Sequence, residues 1–184
     1  MLRALDMQPV VDLLIALPFR APHPDSPRRL VSLFTSLQEA DSALTAGEIE
    51  DLIWAVWTDD VPDERATPMQ IAIRAMATRD FASARASCDR LVARFPLWSE
   101  AWNKRATLAY LEERDPESIA DILRTLELEP RHFGALSGLG QICLRQGEPD
   151  IARLAFEAAL TVNPHMSPIQ ALLQELPPPP MFKN

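Results

Sequence analysis

Residues 98–130 read WSEAWNKRATLAYLEERDPESIADILRTLELEP. The run carries two amphipathic helices joined by a short turn. The second opens at Asp115-Pro116, a capping residue followed by proline at the first helical position. The same frame recurs on both sides. Pro96, Pro130 and Pro164 stand 34 residues apart, twice, and each ends an amphipathic run: LVARFP, LELEP and LTVNP. Setting each proline at position 32 divides the chain into units 65–98, 99–132 and 133–166. Position 8 is then Ala72, Ala106 and Gly140, and position 20 is Ala84, Ser118 and Ala152. Small residues there let two helices cross closely. Large side chains flank them at position 4 (Trp102, Leu136) and position 24 (Ile122, Phe156), with Pro68 and Cys88 as the departures in the first unit.

A helix–turn–helix unit repeating every 34 residues resembles the tetratricopeptide repeat, with small residues at 8 and 20, an aromatic at 24 and proline at 32. The third unit matches best, through Leu139, Gly140, Ala152, Phe156 and Pro164. The resemblance covers about 100 of the 184 residues. The runs AWNKRATLAYL and LELEPRHFGALSGLG, with Ile53-Trp54-Ala55-Val56-Trp57 ahead of them, also look like a group of small repeat proteins from alphaproteobacteria. That resemblance implies an all-α, right-handed superhelical array of antiparallel helix pairs, a general interaction role and, for many members, an export signal.

Composition agrees with an all-α chain. Alanine and leucine dominate, glycine is scarce, and β-branched runs are absent. Acidic residues (26) outnumber basic ones (18), and no basic stripe marks a surface for nucleic acid or an anionic membrane. No apolar run approaches the roughly 20 residues that span a bilayer. Cys88 and Cys143 fall at core positions of different units, too far apart for a disulfide, and read as buried free thiols.

Working outward, residues 1–26 form an N-terminal segment and a proline-rich linker. Met1–Phe19 reads either as an export signal or as a short helix whose Leu2, Leu5, Val10, Leu13, Leu14 and Leu17 share an apolar face. Asp12 interrupts the apolar run and favours the helix, hence the cytoplasm, as do free cysteines; the family resemblance suggests the periplasm instead. Residues 27–64 read as a degenerate helix pair or cap, covering the apolar end of the array. Its first helix carries Leu30, Leu33, Phe34 and Leu37; its second opens at a Thr45–Glu48 capping box. A further box at Thr67-Pro68-Met69-Gln70 is expected to open the first repeat. Residues 167–176 form a capping helix with Ile169, Leu172, Leu173 and Leu176 over the last unit, and 177–184 a proline-rich tail whose Pro177–Pro180 run is extended.

No catalytic or phosphate-binding motif is present. The three histidines lack ligand spacing, and Gly138-Leu139-Gly140 lies inside a helix. The chain is therefore expected to be no enzyme, to need no cofactor or metal, and to bind a protein or peptide. The resemblance places the binding groove on the first helix of each unit. That gives Met69, Ile73 and Met76 from the first, Asn103, Thr107 and Tyr110 from the second, and Ser137, Gln141, Leu144 and Arg145 from the third. The groove is expected to be polar in the middle and apolar at one end, unless the N-terminal helices cover Met69, Ile73 and Met76. A clamp of lysine and asparagine for an acidic chaperone tail is missing, since Met69 and Ile73 occupy its positions. Arg105 replaces the usual leucine at position 7; a partly buried charge needs a partner, and Glu113, Asp121 and Glu129 are the candidates. The alternative role is self-association through the apolar terminal helices, as a homodimer.

Overall fold

The computed structural model describes residues 6–58 and 61–177, and every described element is helical. The chain runs α1 (Gln8–Ala16), α2 (Arg29–Gln38), α3 (Ala43–Thr58), α4 (Asp63–Ala77), α5 (Phe81–Arg94), α6 (Ser99–Leu111), α7 (Asp115–Leu128), α8 (Phe133–Arg145), α9 (Pro149–Val162) and α10 (Ser167–Glu175), with a 3-10 turn at Leu17–Phe19. Residues Met1–Leu5, Asp59-Asp60 and Pro178–Asn184 lie outside the described residues, and with them Leu2, Leu5 and most of the proline tail.

Helices α4–α5, α6–α7 and α8–α9 are the three antiparallel pairs, and each first helix stops by the same device. Arg79, Glu113 and Gly147, all at position 15, adopt φ of 59°, 59° and 79°. The next amide then reaches back five residues: Asp80 to Ala75 (2.8 Å), Arg114 to Ala109 (2.8 Å) and Glu148 to Cys143 (2.9 Å). This is the Schellman closure, which satisfies carbonyls the helix end leaves unpaired. Two non-glycine residues accept the left-handed conformation because the fold needs the same turn in every unit.

Within a pair, position 8 sets the approach. A Cβ built on Gly140 would stand 2.3 Å from Cε1 of Phe156, whose ring is fully buried. Gly140→Ala is expected to destabilise the protein by about 1–3 kcal/mol through overpacking. It does so although alanine favours a helix over glycine by about 1 kcal/mol. The midpoint of urea unfolding reads the outcome; an unchanged or raised midpoint contradicts it.

Two helix starts differ from the sequence reading. α4 begins at Asp63, with Pro62 before it and Pro68 inside, so Thr67-Pro68 does not open it. Asp63 and Glu64 in the first turn favour the earlier start by facing the positive end of the helix dipole. α3 begins at Ala43 rather than after Thr45, because the hydroxyl of Ser42 accepts the Thr45 amide at 3.2 Å.

The terminal helices wrap the array. α10 lies on α9 and buries Ile169. α1 buries Met7, Val10, Leu13, Leu14 and Leu17 against α7 and α9, the second helices of their units. The α2–α3 pair does not stack in front of the first unit. It lies across the turns between units, where Phe34, Trp54 and Trp57 meet Phe133. Gln38 donates to the carbonyls of Thr161 (2.7 Å) and Val162 (2.8 Å), the Trp98 indole donates to the Trp57 carbonyl (3.2 Å), and Asn163 donates to Glu50 (2.8 Å). Aromatic area decides the placement: the turn edge offers Phe133, whereas the front of α4 offers little. That front stays uncovered, and Ile71, at the position where the third unit buries Leu139, is 47% exposed.

Candidate functional site

The first helices of the three units, α4, α6 and α8, stand side by side. Met69 is fully buried against Leu91, Val92 and Trp98 of its own unit and Ala101 of the next, so it belongs to the core. Ile73 and Met76 are half-buried. Among the described residues, the apolar clusters they join include none from α1, α2 or α3.

The polar middle forms a cleft of about 220 Å³ between α6 and α8. Asn103, Thr107, Tyr110, Ser137 and Gln141 line it, five of the ten groove residues read from sequence. The Tyr110 hydroxyl stands 3.5 Å from the Gln141 side-chain oxygen across the mouth. Thr107 directs its hydroxyl to the Asn103 carbonyl (2.9 Å). Leu144 and Arg145 are not in this cleft. Arg145 lies over the Tyr110 ring, 4.2 Å from its centroid, and donates to Asp115 through Nε at 3.0 Å, so its charge is already matched. Gly138, Ile142, Ser118 and Ile122, also part of the cleft, were not among the residues read from sequence. Gly138 had a signal: it shares one face of α8 with Gly134, Gln141 and Ile142 by i+3 and i+4 spacing. The two residues from α7 carried none.

Beneath the cleft sits a buried charge. Glu100, in the first turn of α6, is fully buried. Its Oε2 accepts from Asn103 Nδ2 at 2.8 Å and from His132 Nε2 at 2.9 Å, while the Lys104 ammonium stands 3.2 Å from Oε1. His132 Nδ1 accepts the Ala135 amide (3.1 Å) and so caps α8, which assigns the ring proton to Nε2, facing Glu100. Burial alone would raise the Glu100 carboxyl. Lys104, then His132 and Asn103, outweigh it and hold the group below the usual carboxylate value. Trp57 closes the site by stacking on His132 with centroids 4.1 Å apart and planes 5° from parallel. Asn103 thus lines the cleft with its amide nitrogen bonded to Glu100.

Arg105 stands apart from both features. Asp121 grips it with two bonds of 2.7 and 2.8 Å, and Asp89 of the preceding unit adds a third at 3.2 Å. The Asp121 hydrogen bonds hold the guanidinium proton more firmly than usual. The arginine bridges α5, α6 and α7 where leucine would ordinarily pack. Neither Glu113 nor Glu129 is its partner: Glu129 is taken by Arg131 (2.8 Å).

A family model for the tetratricopeptide repeat matches residues 69–128 and 116–167, and together the matches span more than half the chain. The chain belongs to the tetratricopeptide repeat family. It is also 34% identical over 137 residues to a TPR repeat-containing protein of Rhizobium etli, an alphaproteobacterium, an alignment covering 74% of this chain and 67% of that one. Tetratricopeptide repeats generally mediate contacts between proteins, and family members are typically non-enzymatic.

Proposed function

We propose that this tetratricopeptide protein is a non-enzymatic scaffold that binds an extended segment of a partner protein in the cleft between α6 and α8. The observation carrying this reading is the cleft itself. Asn103, Gln141 and Ser137 present uncharged donors and acceptors of the kind an extended backbone needs. Tyr110 offers an apolar ring with a polar tip, and Gly138 leaves room for a side chain. Among the described residues no charged side chain lines the cleft, which therefore suits an uncharged segment.

Gly138→Leu tests the reading. A Cβ there meets only Ile122 Cδ1, at 3.9 Å, an ordinary contact, so a longer side chain starts from an open position on the cleft wall. The helix gains roughly 1 kcal/mol of propensity on losing glycine. Peptides selected from a displayed random library on the wild-type chain are expected to lose binding to this variant, with thermal stability kept. Equal binding to both forms, or no enrichment on the wild type, rejects the proposal.

A second reading is self-association through the N-terminal segment. It is favoured by Ile15 and Phe19, which are 64% and 90% exposed on neighbouring turns. Sedimentation across a concentration series separates the two, since this reading requires a mass that rises with concentration and falls for Phe19→Asp.

A further inference from the structure

A second cleft lies outside the groove, where the α2–α3 pair meets the first unit. It encloses about 340 Å³, within the roughly 300–1,000 Å³ of small-molecule sites. Leu30, Val56, Phe95 and Trp98 make its apolar wall. Facing them is Arg65, its guanidinium 4.8 Å from the Phe95 ring centroid and 5.7 Å from that of Trp98.

Among the described residues, the other charges lining the cleft are paired or lie largely in solvent. Arg94 donates to Glu64 at 2.8 Å. Glu129 accepts from Arg131 at 2.8 and 3.0 Å. Asp25, at the rim, lies beside His23 and is mostly in solvent. Arg65 has no carboxylate partner among the described residues, and its Nε is sealed from solvent without an acceptor. The Trp57 indole nitrogen, in the same wall, is also buried without one. A half-buried guanidinium lacking a counter-ion is unfavourable, and a carboxylate meets its fork geometry with two parallel bonds. Ser99, the first residue of α6, also lines the cleft, and the cap residue Trp98 supplies no side-chain acceptor to that helix end. The helix dipole there favours the same negative charge.

We propose that this cleft binds a carboxylate carried on an apolar body, with the carboxylate on Arg65 and the body against Phe95 and Trp98. Such a group occurs in small aromatic or branched organic acids and at the C-terminus of a peptide. The inference stands independently of the groove between α6 and α8.

The test uses the full chain and tryptophan emission. Four probes are titrated: phenylacetate, phenylacetamide, and a tetrapeptide ending in phenylalanine with a free or an amidated C-terminus. Both acids are expected to bind at least about tenfold more tightly than their amides, the difference a hydrogen-bonded charge makes. Tighter binding of the free tetrapeptide than of phenylacetate identifies a peptide C-terminus as the ligand; the reverse identifies a small acid. Arg65→Gln should remove the preference for acid over amide. Equal binding of acids and amides overturns the proposal. So does an Arg65→Gln variant that keeps the preference. Should that variant fold poorly, chemical-shift mapping of phenylacetate on the wild-type chain decides: shifts confined to residues other than Trp57, Phe95 and Trp98 overturn it equally.

Discussion

Trp57→Ala is expected to cost about 3–5 kcal/mol, the range for removing a buried tryptophan side chain. Trp57 is 2% exposed and stands at the centre of the aromatic cluster, with ring centroids 5.2 Å from Trp54, 5.4 Å from Phe133, 6.1 Å from Phe34 and 4.1 Å from His132. The remaining ties of α2 and α3 to the array are the Phe34 and Trp54 rings on Phe133 and the polar bonds of Gln38, Glu50 and the Trp57 carbonyl. The loss should therefore be local first. Amides of α2 and α3 should exchange with solvent hydrogen well before those of α6 to α9, giving a two-step unfolding curve. Trp57→Phe, which keeps much of the buried area, should cost less. A deficit under about 1 kcal/mol for Trp57→Ala, or uniform loss of protection across all helices, contradicts this picture of the pair as a docked accessory rather than a fourth repeat.

How much of this was legible in the sequence depends on whether the signal was periodic. The proline spacing and the small residues at 8 and 20 recur every 34 residues, so the helix pairs and their close crossings could be read directly. Gly140 under Phe156 is the clearest case. The groove came partly by the same route, and Asn103, Thr107, Tyr110, Ser137 and Gln141 do share a cleft. Met69 went the other way, because an apolar residue on the groove face of the first unit can turn into the core of that unit. Where α1 and α2–α3 dock was not readable. An amphipathic pattern says which face is apolar but not which surface covers it. For the same reason Arg105 could be recognised as a charge needing a partner, while Asp89, one unit away, could not be named.

The buried pair Glu100–His132 was equally hidden, 32 residues apart, and it carries the other large effect. Glu100→Ala leaves the buried Nε2 proton of His132 without its acceptor and the partly exposed Lys104 ammonium without its ion-pair partner. Removing one member of a buried pair costs about 3–5 kcal/mol. Glu100→Gln should cost less, because one amide oxygen can still accept from His132, and it exposes the pH dependence. Glu100 titrates below the usual carboxylate value in the folded chain and at about 4.5 in the unfolded one. A group whose folded value is depressed stabilises fully above the unfolded value and ceases to do so as pH falls through the folded one. The stability gap between wild type and Glu100→Gln should therefore be flat from pH 7 to about pH 5 and shrink below about 4.5. Urea unfolding of both proteins across that range measures it. A gap that stays constant or widens in acid contradicts the assignment of the charge to Glu100. The same substitution reaches the cleft between α6 and α8, since Glu100 holds the amide nitrogen of Asn103, one of its lining residues, by a 2.8 Å bond. At neutral pH, Glu100→Gln should then weaken any peptide that binds through Asn103 while leaving the Arg65 cleft, on the far side of Trp57, unchanged.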